Sequence, residues 1–222
     1  MERSEASTPI PPALAGTPQI DPPGAPNPHA SQAPQKAKVA IPDVTVADDS
    51  ALVSRITALV NAVYTTTEEG LFAPAYRRTD DDEVRQILRA GELALAWLVS
   101  HSQSVPAADT VIGCIRFFGL SPTTGDFGVL ACDPAYRGAG TGRKLVHFAE
   151  EQCRTRGMTI MQCELLVSKE FDHPFKVRLQ AWYERMGYRV VRSVDFGQDH
   201  PHLALHLITK AELRVFEKSL VR

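Results

Sequence analysis

Long apolar runs are missing from this sequence, because none reaches the roughly 18 residues that a membrane-spanning helix needs. An excess of basic residues is missing too, since the formal net charge is −2 at pH 7. Proteins that hold nucleic acid through its phosphates need clustered positive charge. We therefore expect neither a membrane nor a nucleic acid among the partners.

Cysteine is scarce, and the four cysteines include no close pair. They are Cys114, Cys132, Cys153 and Cys163. Each lies inside a strand-like or helix-like run, which favours small core residues in a reducing compartment over a disulfide framework or a zinc site. The first residues also lack the apolar core of a secretory signal and the arginines of a transit peptide. We therefore expect a cytoplasmic location.

Large apolar side chains are rare in residues 1–42, which hold ten of the sixteen prolines. Such a segment cannot bury enough surface to offset the entropy that it loses on ordering. We predict a disordered, proline-rich tail at residues 1–38 and one folded domain at residues 39–222. The tail is either a spacer or a docking segment for a proline-binding partner.

Periodic apolar residues predict strands and helices through the rest of the chain. Strands are predicted at residues 39–46, 93–100, 110–119, 128–132, 159–168, 188–194 and 213–220. Helices are predicted at residues 48–64, at 79–90 with Thr79 as its cap, after the glycines near 140, at 180–186, and at 202–208 with Asp199 as its cap. Residues 169–176 are predicted to be a loop. Periodicity alone supports only a mixed α/β fold.

A glycine-rich stretch joins the predicted strand at 128–132 to the helix that follows it. Gly138, Gly140 and Gly142 alternate there, which permits a left-handed backbone and leaves room for a ligand. The helix that follows offers free N–H groups and the positive end of its dipole. The basic residues nearby are Arg137, Arg143 and Lys144. The stretch therefore predicts a phosphate or pyrophosphate site, with a turn that merely caps the helix as the alternative.

Two familiar phosphate loops do not fit this stretch. A Walker-type loop needs Gly-Lys-Ser/Thr, whereas Lys144 follows an arginine and precedes Leu145. A dinucleotide fingerprint needs a third glycine where this chain has arginine or leucine. The pattern that fits is Arg-x-x-Gly-x-Gly at residues 137–142, which resembles the coenzyme A pyrophosphate loop of the GNAT superfamily of acyl-CoA-dependent N-acyltransferases.

A second motif strengthens this resemblance. Residues 180–188 read Gln-Ala-Trp-Tyr-Glu-Arg-Met-Gly-Tyr, which is similar to the other GNAT signature of an aromatic-Tyr pair followed by Gly-Phe or Gly-Tyr. Over residues 39–222 the chain is therefore identified as a member of this superfamily. The resemblance implies an α/β (α+β) fold with a central, mostly antiparallel sheet whose middle strands splay apart between flanking helices.

The resemblance also implies how acetyl-CoA, as co-substrate, would be held. The backbone of Leu130, Ala131 and Cys132 would pair with the pantetheine arm. The pyrophosphate loop would comprise Arg137, Gly138, Ala139, Gly140, Thr141, Gly142 and Arg143. No metal is expected, and the histidines His200, His202 and His206 are more typical of a solvated surface than of a metal site.

Tyr183 is the predicted general acid, because a phenol is protonated at neutral pH and the resemblance sets it beside the sulfur. A core tyrosine is the alternative. Glu164 is the first candidate for general base, although it could equally face solvent. The weaker candidates are Asp126, Asp172 and His173, and a catalytic Cys132 thiol is a further alternative. Lys176 stands where the family frequently has asparagine, which puts that contact in doubt.

The resemblance therefore implies transfer of an acetyl group from acetyl-CoA to a primary amine by direct attack on the thioester. The acceptor would be a small molecule or a peptide, and the protein a monomer or a homodimer. Two alternatives remain, namely a coenzyme A-binding module without turnover and an acyltransferase that uses another acyl-CoA donor.

Overall fold

The computed structural model describes residues 37–99, 105–136 and 138–221, so most of the predicted tail lies outside the described residues. At its centre is a seven-stranded sheet. The strands are β1 (Ala37–Ala40), β2 (Leu93–Leu98), β3 (Val111–Gly119), β4 (Thr124–Cys132), β5 (Ile160–Ser168), β6 (Arg189–Asp195) and β7 (Ala211–Ser219). They lie in the order β1-β2-β3-β4-β5-β7-β6, and every neighbouring pair is antiparallel except β4 with β5. The predicted mixed, mostly antiparallel sheet is confirmed.

Helices cover this sheet. They are α1 (Ser50–Thr67), α2 (Asp81–Arg89), α3 (Thr141–Thr155), α4 (Pro174–Arg185) and the single turns α5 (Phe196–Asp199) and α6 (Pro201–Ala204). One apolar core lies among α1, α2 and the sheet, and another includes residues of α3, α4 and the sheet. Within the described ranges, no helix combines the length and apolar character needed to cross a bilayer.

The predicted strand at residues 39–46 is wrong in its second half. β1 ends at Ala40, and a short 3₁₀ helix occupies Val44–Asp48 instead. Pro42 has no N–H for a sheet ladder, and Asp43 accepts a hydrogen bond from the Thr45 amide at 2.9 Å. A proline followed by an N-capping aspartate therefore turns the chain into a helix.

The helix predicted at residues 79–90 exists, but its cap is one residue later than predicted. Asp80 is the N-cap, because its Oδ1 accepts a hydrogen bond from the Glu83 amide at 2.8 Å. Thr79 instead donates its hydroxyl to the Glu83 carboxylate at 2.7 Å. The two residues together satisfy the start of α2.

Two predictions in the C-terminal third are also wrong. The predicted loop at 169–176 ends early, because α4 begins at Pro174 and His173 caps it by accepting a hydrogen bond from the Phe175 amide at 3.2 Å. The predicted helix at 202–208 is replaced by α5 and α6, and the N-cap of α6 is His200 rather than Asp199. Pro201 suits a first helical turn but disfavours a helical residue before it, so it separates the two turns.

Candidate active site

The middle of the sheet splays apart, as the resemblance implied. β4 and β5 pair only between residues 124–127 and 160–163. Beyond this point the strands separate, and a cavity of about 480 Å³ opens between them. We call it the central cavity. It borders Tyr183 of α4 on one face of the sheet and Tyr64 of α1 on the other, so two ligands can meet in it from opposite faces.

A bulge in β4 accounts for this separation. Cys114 of β3 pairs with Ala131 of β4, and Arg116 pairs with Gly128. Between these two pairs β3 advances by two residues and β4 by three, so β4 carries one extra residue. Val129 lies within this step and has a φ of 49°, which is strained for a β-branched residue. A bulge bends its strand, and the bend directs the end of β4 away from β5.

The three residues predicted to pair with pantetheine lie just beyond this bulge. Leu130 and Cys132 border the central cavity. The Ala131 side chain is fully buried in the core under α1, and its main chain pairs with Cys114 of β3. On the opposite edge, β4 has no strand partner in the described region once β5 has separated. A backbone ligand could pair with this edge whatever the side chains are.

The glycine loop ends beside the same edge. Gly138 and Gly140 have φ values of 84° and 75°, and Gly140 is the N-cap of α3 but lacks a side chain to cap it. The first N–H groups of α3 are thus left for a ligand. A Cβ built on Gly142 would lie 3.6 Å from the Cys132 sulfur. Of the predicted loop residues, Thr141 is buried and Arg143 exposed, while Arg137 lies outside the described residues.

Tyr183 is held in an aromatic cluster at the wall of the central cavity. Its ring centre lies 5.9 Å from that of Phe127, 6.0 Å from that of Tyr188 and 5.6 Å from that of Phe216. Burial raises the pKa of its hydroxyl well above the ordinary value. The group therefore stays protonated throughout the neutral range, which is the state that a proton donor needs.

Two carboxylates of the central strands, Asp126 of β4 and Glu164 of β5, border the cavity on the α1 face of the sheet. Glu164 is exposed, whereas Asp126 is buried and accepts a hydrogen bond from Gln162 Nε2 at 3.1 Å. Burial, with a smaller contribution from the charge of Glu164, raises the pKa of Asp126 to about 7. An acid with that pKa can exchange protons at neutral pH. Asp126 was the weaker candidate in the sequence and is the better placed one in the structure.

The remaining candidates have other environments. Burial raises the pKa of the Cys132 thiol to about 11, which disfavours a nucleophilic thiolate. His173 caps α4, and both it and Asp172 line a smaller pocket outside the central cavity. All four cysteines are free thiols. In the part of the chain that the structure describes, no three histidine, cysteine or acidic side chains are grouped to hold a metal.

A buried ion pair joins α4 to the end of α1. Lys176 Nζ lies 2.8 Å from the Glu68 carboxylate, and both side chains are about nine-tenths buried at the cavity wall. Lys176 thus occupies the asparagine position of the family with a charge that is already neutralised. Glu68 could not be predicted as the partner of Lys176, because the two residues lie 108 positions apart in the chain.

Lys176→Met should destabilise the protein by about 3–5 kcal/mol, because it leaves the Glu68 carboxylate buried without a partner. Urea unfolding followed by circular dichroism measures this loss. The double variant Lys176→Met/Glu68→Leu should recover most of it. Lys169→Met is the control, since its pair with Asp195 is exposed and should matter far less. Wild-type stability of the single variant would mean that water reaches the pair.

Comparison with protein families agrees with the two sequence motifs. Residues 95–190, somewhat less than half of the chain, match the family model described as "Acetyltransferase (GNAT) domain". Over these residues, the resemblance to the GNAT superfamily that the two motifs carry is confirmed. Comparison with curated proteins gives no match.

Solved structures of GNAT proteins share this fold. An aminoglycoside 6'-N-acetyltransferase complexed with coenzyme A superposes with a TM-score of 0.55 at 14% identity, over 79% of this chain and 94% of that one. The NatC complex bound to Gag peptide and CoA gives 0.55 at 16%, over 84% and 99%. YncA from Salmonella typhimurium with acetyl-CoA gives 0.54 at 14%, over 84% and 95%. At such identities the likeness establishes the fold alone.

Proposed function

We propose that this protein transfers an acetyl group from acetyl-CoA to a primary amine. The observation that carries the proposal is that three features lie at one cavity or directly beside it. These are the free edge of β4, the uncapped start of α3 and the protonated hydroxyl of Tyr183. GNAT neighbours that hold coenzyme A or acetyl-CoA support the same conclusion.

The chain fits acetyl-CoA at two points. The N–H groups at the start of α3, after Gly140, would hold the pyrophosphate, because no side chain caps them. The main chain of residues 130–132 would hold the amides of the pantetheine arm. When bound, acetyl-CoA would supply the acetyl group as a reactive thioester. Both contacts use backbone groups, which tolerate unusual side chains such as Cys132.

Tyr183 would donate its proton to the departing sulfur when the carbon–sulfur bond breaks. Asp126 would accept a proton from the attacking amine, because its carboxylate is ionised in a substantial fraction of molecules at neutral pH. Glu164, the base predicted from the sequence, would assist by drawing a cationic amine into the cavity. The second proton that the amine loses would replace the one that Tyr183 gives to the sulfur, and the proton on Asp126 would leave to solvent, so both side chains return to their starting states.

The pH profile tests the role of Asp126. If it is the base, turnover should fall by about tenfold between pH 8 and pH 6 as the carboxylate is protonated. Glu164→Gln removes a neighbouring negative charge and should move this limb to lower pH. If the fall in turnover at low pH keeps its midpoint in Glu164→Gln and is still present in Asp126→Asn, the base is another group.

The effect of Asp126 on stability should have the opposite pH dependence to its effect on turnover. Its pKa is raised in the folded state from 3.8 to about 7, so the folded chain binds more protons than the unfolded chain in this window. Its contribution to stability is therefore lost as pH rises from about 4 to about 7. Asp126→Asn should thus melt at a higher temperature than the wild type at pH 8 while losing turnover.

The direct test incubates the full chain with acetyl-CoA and a panel of amines, and follows both free thiol and the mass of the acetylated product. Acetylation of any primary amine supports the proposal. Tight coenzyme A binding without product from any amine would instead indicate a binding module. If propionyl-CoA or a longer acyl-CoA reacts faster than acetyl-CoA, the proposed donor is wrong and the longer acyl-CoA replaces it.

A further inference from the structure

The charges at the α1 side of the central cavity point to the class of acceptor. Two of the three lysine or arginine side chains that border the cavity are paired: Arg116 with Glu92 at 2.8 Å, and Lys176 with Glu68 at 2.8 Å. The third, Arg78, forms no ion pair with a described residue. Its guanidinium carbon lies 5.4 Å from the centre of the Tyr64 ring.

Two carboxylates influence Arg78 electrostatically, but each already has another partner. Glu68 is the buried partner of Lys176. Glu83 accepts the Thr79 hydroxyl at 2.7 Å at the start of α2. The guanidinium is therefore a half-buried, permanently charged group with donors left over. In a cavity, such a group is a binding site for an anion.

The position of Arg78 is fixed by α1 rather than left to a mobile loop. The Asn61 side chain accepts hydrogen bonds from the main-chain amides of Arg78 and Thr79, at 2.8 and 3.2 Å, and donates to the Thr79 carbonyl at 2.9 Å. This three-bond clamp orients the residue toward the cavity. Its neighbour Arg77 is exposed, and among the described residues its guanidinium bonds only to nearby carbonyls of its own loop.

We infer that the acceptor carries a carboxylate as well as its amine, and that Arg78 binds this carboxylate. The inference rests on the proposed acetyl transfer. The amine would face Asp126 and Glu164, and the carboxylate would lie against Arg78 beside Tyr64. A single free guanidinium neutralises one negative charge, which suits a carboxylate better than a doubly charged phosphate. Amino acids and related small amino carboxylates are therefore the expected class.

The size of the cavity agrees with a small acceptor. Its volume of about 480 Å³ must hold the acyl-bearing end of the donor as well as the amine. Tyr64 lies beside Arg78 and borders the same cavity as Tyr183. A zwitterionic ligand would thus extend from the guanidinium toward the proton donor.

The test compares α-amino acids, their carboxamides, 1,4-diaminobutane and 2-aminoethyl phosphate as acceptors for the full chain. Free amino acids should react best. Arg78→Gln should raise their KM by about 10–100-fold, the usual effect of losing a charge-assisted bond, and leave the carboxamides unchanged. Arg78→Lys keeps the positive charge but loses the planar pair of N–H donors that can bind both carboxylate oxygens. Its KM for amino acids should therefore lie between those of the wild type and Arg78→Gln. Arg77→Gln is the matched control and should behave as wild type.

Each result decides the inference. Carboxamides or the diamine reacting as well as amino acids would overturn it while leaving acetyl transfer intact, and so would an equal loss on all acceptors in Arg78→Gln. If 2-aminoethyl phosphate reacts better than the amino acids, the anion that Arg78 binds is a phosphate and not a carboxylate. If the protein binds acetyl-CoA but acetylates none of these amines, the inference fails. Failure to bind acetyl-CoA at all, measured by calorimetry, would overturn the proposed function itself.

Discussion

Tyr183→Phe should lower turnover by roughly 10²–10⁴-fold and leave the fold intact, the range expected when a positioned general acid is lost. The substitution removes only the hydroxyl, and the ring remains packed against Phe127, Tyr188 and Phe216. The KM for acetyl-CoA should change little, because the proton is transferred mainly in the transition state. Steady-state kinetics on an amine that the wild type acetylates measure both constants.

Tyr188→Phe is the matched control within the same cluster. Its hydroxyl donates a hydrogen bond to the Glu150 carboxylate at 2.7 Å, in a buried network with Lys218. It does not border the central cavity. Loss of this bond should cost about 1.5–3 kcal/mol of stability, the usual value for a hydrogen bond to a charged group. Turnover should be unchanged in molecules that remain folded.

These two variants therefore separate catalysis from packing. The acid assignment predicts an inactive but stable Tyr183→Phe and an active but less stable Tyr188→Phe. If Tyr183→Phe turns over at the wild-type rate, water or another side chain delivers the proton, and Tyr183 is a core aromatic. Loss of stability in both variants with no loss of turnover would have the same meaning.

Features carried by short stretches of sequence could be predicted. The alternate glycines after a buried strand predicted a helix start with open N–H groups, and α3 begins at Thr141 after the N-cap Gly140, which has no side chain to cap it. The stripe of Leu52, Val53 and Ile56 predicted α1, because helical periodicity is a local property. The errors were local too. Three of them fell at Pro42, Pro174 and Pro201, where a proline can either end an element or begin one.

The polar content of the cavity could not be predicted in the same way. Asp126 owes its pKa of about 7 to burial and to Glu164, which lies on the next strand and 38 residues along the chain. Arg78 becomes an anion site only because Asn61 holds its backbone and because nearby carboxylates have other partners. These properties depend on which long-range neighbours are present. Such neighbours cannot be identified from the spacing of residues in the sequence.

Gly142→Val should weaken coenzyme A binding by roughly 10²–10⁴-fold, if it costs two charge-assisted hydrogen bonds to the pyrophosphate. A Cβ at this position would lie 3.6 Å from the Cys132 sulfur and 3.9 Å from the Trp182 ring. The added methyl groups would therefore fill the space between the first turn of α3 and the free edge of β4. Calorimetric titration with coenzyme A measures the loss.

Gly142→Ala separates obstruction from a general disturbance of α3. Gly142 does not have a positive φ, and its Cβ would meet its neighbours at ordinary contact distances, so alanine should be accommodated and should support the helix better than glycine. Affinity should fall in the order glycine, alanine, valine, while the melting temperature does not fall with alanine. A folded Gly142→Val protein that binds coenzyme A like the wild type would show that the pyrophosphate lies elsewhere. The glycine-rich stretch would then be only a turn that begins α3.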